Sequence, residues 1–291
     1  MFGLNNNGQL GLGHYNDQNK PQILMSGIPI RQITCGEYHT VILQDDNDVL
    51  VFGRNWYGQL GVGHNKYQNK PITLMQGIAI RQIACGAYHT IILKENNDVL
   101  VFGFNYFGQL GLGHTDNQNK PVTLMQGIAI RQIACGYDHT VILQDDNDVL
   151  VFGCNDDGQL GLGHNEHQNK SITLMQGIAI RQIVCCYDHT VILKDNNDVL
   201  VFGCNDYGQL GLGHDEHQNK PITLMHNVAQ LHGYIPNSAW SPECHHQFST
   251  TFRNRIRCFL LMHKRNQNNT GLKIPKFVLF EIFKKVYSHS E

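Results

Sequence analysis

The stretch Val-Phe-Gly-x-Asn-x-x-Gly-Gln-Leu-Gly-Leu-Gly-His stands at Val51–His64 (with Val62 for the last Leu), Val101–His114, Val151–His164 and Val201–His214. A further copy without its first residue occupies Phe2–His14. Successive copies are 50 residues apart, with no insertion or deletion between them. A fixed period of this length requires one supersecondary unit repeated along the chain, each unit burying its neighbour. That single fact excludes most architectures open to a chain of 291 residues.

One unit reads as four strands. Pro71-Ile72-Thr73-Leu74-Met75 is a short strand begun by Pro, as suits a sheet edge. Ile80–Cys85 is a second strand, and Gly86-Ala87-Tyr88 turns the chain. His89–Lys94, rich in β-branched residues, is a third. Glu95-Asn96-Asn97-Asp98 is a polar hairpin loop, and Val99–Gly103 is the fourth strand. The last two strands are apolar on both faces, which predicts a sheet covered on both sides. The class is therefore all-β. It is a β-propeller-type array of four complete blades (Pro21–Gly53, Pro71–Gly103, Pro121–Gly153 and Ser171–Gly203) with partial blade elements at both ends.

Charge divides the chain. Met1–Met225 carries 13 Lys and Arg against 21 Asp and Glu, while the residues after Met225 carry 9 against 3. The expected organisation is a repeat array at 1–225, a linker packed on the last blade at 226–250, and a basic two-helix tail at 251–291. Phe252, Ile256, Phe259 and Leu260 recur at helical spacing in that tail. Pro275 opens its second helix. An acidic array lacks the cations that neutralise a phosphate backbone, so nucleic acid is not an expected partner. No stretch approaches the ~18 apolar residues of a membrane helix, and no membrane is expected. The odd cysteine count (9) and the lack of a charged and apolar leader predict an intracellular protein, cytoplasmic or nuclear, rather than a secreted one.

Phe-Gly-x-Asn-x-x-Gly-Gln-Leu-Gly-x-Gly, followed by Cys-Gly-x-x-His-Thr-x-x-Leu, resembles the repeat of the regulator-of-chromosome-condensation family over Met1–Met225. The resemblance implies a β-propeller, usually of seven blades. This chain departs from the pattern in three ways. Phe2, Phe52, Phe102, Phe152 and Phe202 stand where the family has Trp. Cys186 replaces the Gly36, Gly86 and Gly136 of the other copies, which would strain that turn if it needs positive φ. Seven blades at this period need roughly 350 residues. Too few blades leave apolar faces at the ends, so the ends are expected to be covered by the tail or by self-association.

The repeated Gly58-Gln59-Leu60-Gly61-Val62-Gly63 lacks the order of a dinucleotide fingerprint and is read as tight backbone between blades. Cys85 with His89 invites a zinc reading, but zinc wants four converging ligands, and the repeated His residues are expected to serve the turns. Asp45, Asp46 and Asp48 lack the pattern of a calcium loop. No cofactor, metal or catalytic set is expected, and the chain reads as a non-enzyme.

What differs between copies carries the functional signal. The variable positions are Arg54, Trp56, Tyr57, Phe104, Tyr106, Phe107, Asp156, Asp157, Asp206 and Tyr207, with Cys154 and Cys204, and the turn pairs Glu37-Tyr38, Ala87-Tyr88, Tyr137-Asp138 and Tyr187-Asp188. Trp and Tyr on a copied frame are typical contact anchors, and solvent-facing drift is the competing reading. The expected role is a protein-protein interaction scaffold. Ile274, Pro275, Leu279, Ile282 and Phe283 are weakly similar to an F-box opening, with Phe277 in place of its acid, which implies a ubiquitin-ligase scaffold as partner. The alternative that the repeat resemblance implies is guanine-nucleotide exchange on a small GTPase. The uniform spacing, with no inserted wedge, counts against it.

Overall fold

The computed structural model describes residues 1–225. The tail residues Ile274, Pro275, Leu279, Ile282 and Phe283, and both helices expected there, lie outside them.

Sixteen strands form four antiparallel sheets of four, each a meander. The first sheet is β1 (Ile30–Cys35), β2 (His39–Gln44), β3 (Val49–Gly53) and β4 (Gln68–Met75). The second runs β5 (Ile80–Cys85) to β8 (Gln118–Met125), the third β9 (Ile130–Cys135) to β12 (Gln168–Met175), and the fourth β13 (Ile180–Cys186) to β16 (Gln218–Met225). Four complete blades are present, as the repeat count implies.

Their phase differs from the sequence reading. The Pro-led strand closes the blade before it: Val51 pairs with Ile72, and Gly53 with Gln68. Pro221–Met225 therefore completes the fourth blade and does not begin a fifth. The physical reason is the Gly-rich link. It reverses the chain so that the edge strand returns beside the strand just made.

Strand alternation explains the two apolar faces. Val41, Leu43, Val49 and Val51 point one way, and Ile42, Leu50 and Phe52 the other. The first set packs on Ile80, Ile83, Ile92, Leu100 and Phe102 of the second blade, with Leu60 between. The same core recurs at the next two junctions. Burying a side chain such as Phe102 contributes roughly 1.5–3 kcal/mol.

Polar side chains stitch the same junctions. Gln32 donates from Nε2 to the carbonyl of Ile83 (2.8 Å) and accepts its amide (3.0 Å). The bond recurs from Gln82 to Ile133 and from Gln132 to Ile183. Arg31, Arg81 and Arg131 each reach the carbonyl of the Ile that opens the next sheet.

The link also crosses the junction. Gly61 adopts φ +70°, and a Cβ there would stand 2.9 Å from the Phe102 ring of the following blade. Within the link, the buried Asn55 accepts the amide of Leu60 (2.9 Å) and donates to backbone carbonyls beyond it. Gly-Gln-Leu-Gly is thus tight backbone between blades, as expected.

The turn glycines have a different purpose from the one the sequence suggested. Gly86 does not need positive φ. A Cβ there would meet the His89 ring at 2.0 Å and the carbonyl of Gly136 at 2.8 Å. Cys186 is accommodated because no blade follows its turn among the described residues, and Tyr187 takes φ 54° beside it. At the amino-terminal end, Met1, Leu24 and Met25 pack on Ile42, Leu50 and Phe52. On the far face of the fourth blade, Val191, Leu193 and Val199 are half-exposed among the described residues.

Candidate interaction face

Two backbone ladders bring the variable positions together. The amides of Arg54, Phe104, Cys154 and Cys204 each donate to the carbonyl of the turn residue Tyr38, Tyr88, Asp138 or Asp188, all at 2.8 Å. Each link therefore starts beside the turn between the first two strands of its own blade. The turns in turn bond sideways. Glu37 N donates to Ala87 O (3.2 Å), Ala87 N to Tyr137 O (2.9 Å) and Tyr137 N to Tyr187 O (2.7 Å). The varied residues consequently form one continuous face across four blades.

One half of that face is aromatic. Tyr57 lies 4.7 Å from Phe104 and 5.5 Å from Tyr88, and Phe107 lies 5.2 Å from Tyr106, between ring centroids. The Arg54 guanidinium stands 5.2–5.7 Å from the ring centroids of Tyr88, Tyr38, Trp56 and Tyr57. Trp56 (61% exposed) and Tyr106 (68%) project to solvent. Glu37 accepts the Tyr137 hydroxyl at 2.6 Å. Partial burial pushes its carboxyl up, but the hydroxyls of Tyr137, Tyr88 and Tyr38 and the charge of Arg54 outweigh that and hold it below its ordinary range.

The other half is acidic. Asp138 and Asp188 lie at its floor, where burial pushes both up to about 6. The amides of Gln109 and Gln159 oppose that shift, donating to them at 2.8 and 3.4 Å. Asp157 and Asp206 both face His217 Nε2, at 3.7 and 3.3 Å, and Asp156 faces His167 Nε2 at 3.7 Å. Tyr207 is exposed.

Cys154, Asp156 and His167, and likewise Asp157, Cys204 and His217, place one ligand atom each within 4.8 Å of one another. Their chemistry does not fit a metal. His167 Nδ1 accepts the amide of Asn155 (3.1 Å) and His217 Nδ1 that of Asn205 (2.9 Å), so each ring carries its proton on Nε2, the atom a metal would need. Asp17 and Asn117 cap the equivalent amides of Asn5 and Asn105. The two His residues are caps first. The Cys85–His89 pair fits no better, because His89 Nε2 is engaged by Thr140 and burial raises the Cys85 thiol to about 12. Of the repeated His residues, His14, His64, His114, His164 and His214 each accept the amide two residues on, as expected, whereas His39, His89 and His139 serve the next blade's Thr rather than their own turns. The hairpin aspartates are turn residues, as in the bond from Asp48 N to Asp46 Oδ1 (3.1 Å).

The structure thus gathers Arg54, Trp56, Tyr57, Phe104, Tyr106 and Phe107 into one cluster and Asp156, Asp157 and Asp206 into another. Glu37, Tyr38, Tyr88, Tyr137, Asp138, Tyr187 and Asp188 complete the face. They vary between copies, but only the ladder bonds reveal that they adjoin the link. His167 and His217 were missed; their signal was the fixed twelve-residue offset from a copied Asn.

Among the described residues no helix is long and apolar enough to cross a membrane. The profile described as "Regulator of chromosome condensation (RCC1) repeat" matches residues 1–43, 46–93, 96–143, 146–193 and 196–232. No curated protein matches the chain. Its fold is shared by solved structures that include the following three crystal structures. Human WBSCR16 is 23% identical over 76% of this chain and 61% of its own, with a TM-score of 0.67. Yeast RCC1 (Prp20), bound to Kap60, is 22% identical over 74% and 53%, with a TM-score of 0.64. Prp20p of Saccharomyces cerevisiae, described with its binding properties to Gsp1p and histones, is 22% identical over 74% and 55%, with a TM-score of 0.63. The chain spans about half to three fifths of the length of these structures.

Proposed function

Because the chain belongs to the regulator of chromosome condensation (RCC1) repeat family, we propose that it is a non-enzymatic protein-interaction scaffold whose variable face holds a protein partner. One observation supports this most. Residues copied in every unit fill the junctions, whereas those that differ lie side by side on one face with aromatic rings exposed. Exposed Trp and Tyr around an Arg are the composition of contact anchors. The working division is an array at 1–225, a linker at 226–250 and a basic tail at 251–291. The tail's F-box-like residues would make the chain a ubiquitin-ligase substrate adaptor.

The test is capture of partners by the tagged full chain, quantified against Trp56→Ala/Tyr57→Ala. The double variant should lose the partner while keeping its melting temperature within about 3 °C. Equal capture would leave loop drift as the account of the variation. A ligase scaffold recovered by the full chain, and lost with Pro275→Ala/Leu279→Ala, would support the adaptor role.

A second reading rests on the family and on the described binding of Prp20p to Gsp1p. On that reading the same face regulates a small GTPase. Nucleotide release from a panel of small GTPases separates the two, since acceleration by the purified chain would favour exchange activity over a passive scaffold.

A further inference from the structure

Arg54 feels the charge of Glu37 but forms no direct carboxylate contact among the described residues. Among the described residues none forms an ion pair with it, and its Nε is buried without an acceptor. The strand arginines differ in that each of Arg31, Arg81, Arg131 and Arg181 bonds to a hairpin Asn, although Arg81 Nε is likewise buried without an acceptor among the described residues. Glu37, the acid of this half of the face, is engaged by the Tyr137 hydroxyl.

A second donor of the same link, which like Arg54 adjoins Tyr88, is also unmet among the described residues. Gln59 is fully buried; its Oε1 accepts the amide of Tyr57 (3.0 Å), but its Nε2 has no partner among the described residues. In the next two copies the same amide is answered by a carboxylate: Gln109 Nε2 donates to Asp138 Oδ1 and Gln159 Nε2 to Asp188 Oδ1. The residue equivalent to those aspartates is Tyr88, whose ring lies 5.2 Å from the guanidinium. Two junctions therefore carry their own acid. This one carries an unpaired Arg instead.

We infer that the Arg54–Gln59 junction receives a carboxylate from a partner protein, carried on an acidic side chain. A buried donor without an acceptor costs stability, and a charge-assisted pair with Arg is geometrically selective. The surrounding rings exclude water from the guanidinium, which strengthens its pull on an anion. The half-buried Tyr88 turns aside and lets the carboxylate occupy the place that Asp138 and Asp188 fill elsewhere. Asp156, Asp157 and Asp206 at the far end repel a polyacid. The segment that fits carries one acid, with neutral or basic residues running toward those aspartates.

This inference rests on the reading of the face as a partner surface. Its test uses the full chain carrying Trp240→Phe, which leaves Trp56 as its only indole. The probes are four capped hexapeptides that differ at one position, Glu, Gln, phosphoserine or Lys, titrated by Trp56 fluorescence and by calorimetry. The Glu peptide should bind at least about tenfold more tightly than the other three. Arg54→Phe and Tyr88→Asp borrow residues from sister copies, so both should fold. Each should weaken the Glu peptide by about tenfold or more, Tyr88→Asp by filling the site from within. Equal binding of Glu and Gln peptides, preference for phosphoserine, or unchanged binding by Tyr88→Asp would overturn the inference. Partner capture lost with Trp56→Ala/Tyr57→Ala but untouched by Arg54→Phe would overturn it alone. Capture untouched by either would overturn the surface itself.

Discussion

The ring of His89 bridges two blades, donating from Nε2 to Thr140 Oγ1 at 3.1 Å. The direction is fixed because Thr140 Oγ1 already donates to the carbonyl of Gln109 (2.9 Å) and must accept from the His. Its Nδ1 is bare and buried. His39 with Thr90 and His139 with Thr190 repeat the bridge at 3.0 and 2.9 Å. Thr140→Val should therefore destabilise the chain by about 1–3 kcal/mol, since it leaves a buried N–H unmet. Denaturant unfolding of the variant against the parent measures this.

These bridges also set a pH dependence. Burial lowers His39 to about 4 and His89 and His139 to about 3, so the native state keeps them neutral where the unfolded chain takes up protons. Their contribution is complete above about pH 6.5 and is lost as pH falls from there through about 4 for His39 and about 3 for His89 and His139. Asp138 and Asp188, raised to about 6, act the other way. Their contribution is complete near pH 4 and is lost as pH rises through 6. Three histidines outweigh two aspartates, so the melting temperature should drop between pH 6.5 and 4. A flat profile over that window would contradict the assignment.

Asp138→Asn separates the opposing groups. The amide still accepts from Gln109 but carries no charge to desolvate. The variant should be more stable than the parent at pH 7, by about 1–3 kcal/mol, with the gain shrinking toward pH 4. Thermal melts at the two pH values give the comparison.

Gly61→Ala should cost more than a surface change, about 2 kcal/mol or above. The new methyl would take positive φ and press on Phe102 at 2.9 Å. Gly77→Ala is the control, because its φ is also positive (61°) but no atom lies within 4 Å of a Cβ. A smaller loss in the control isolates the contact across the blade junction.

His167→Asn should be nearly silent, within about 0.5 kcal/mol, because Asn117 already caps the equivalent amide in the preceding copy. Chelator treatment should leave the melting temperature of the parent unchanged. A drop would revive the Cys154–Asp156–His167 group as a metal centre.

The repeat made the strands and the four-blade count legible, because a strict period exposes which letters are scaffold. It did not reveal the phase. Pro71–Met75 adjoins both neighbouring blades in sequence, and only the reversal of the link decides that it pairs with Val49–Gly53. The variable positions were legible as loop-borne, yet Tyr88 and Arg54 lie far apart in the chain, and their proximity depends on the bonds from Arg54 N to Tyr38 O and from Glu37 N to Ala87 O. The role of Gln59 was hidden for a different reason. It is copied in every unit, so what sets it apart is the carboxylate that Asp138 and Asp188 supply in later copies and Tyr88 withholds.

Every blade junction joins the same two faces through the same Gln, Arg, His and Phe. Unequal crossing-over that removes or adds one unit in frame would therefore leave each remaining boundary chemically whole. Such events would reorder the exposed rings and acids while sparing the body beneath them. Novelty in what this surface recognises is open to recombination as well as to point substitution.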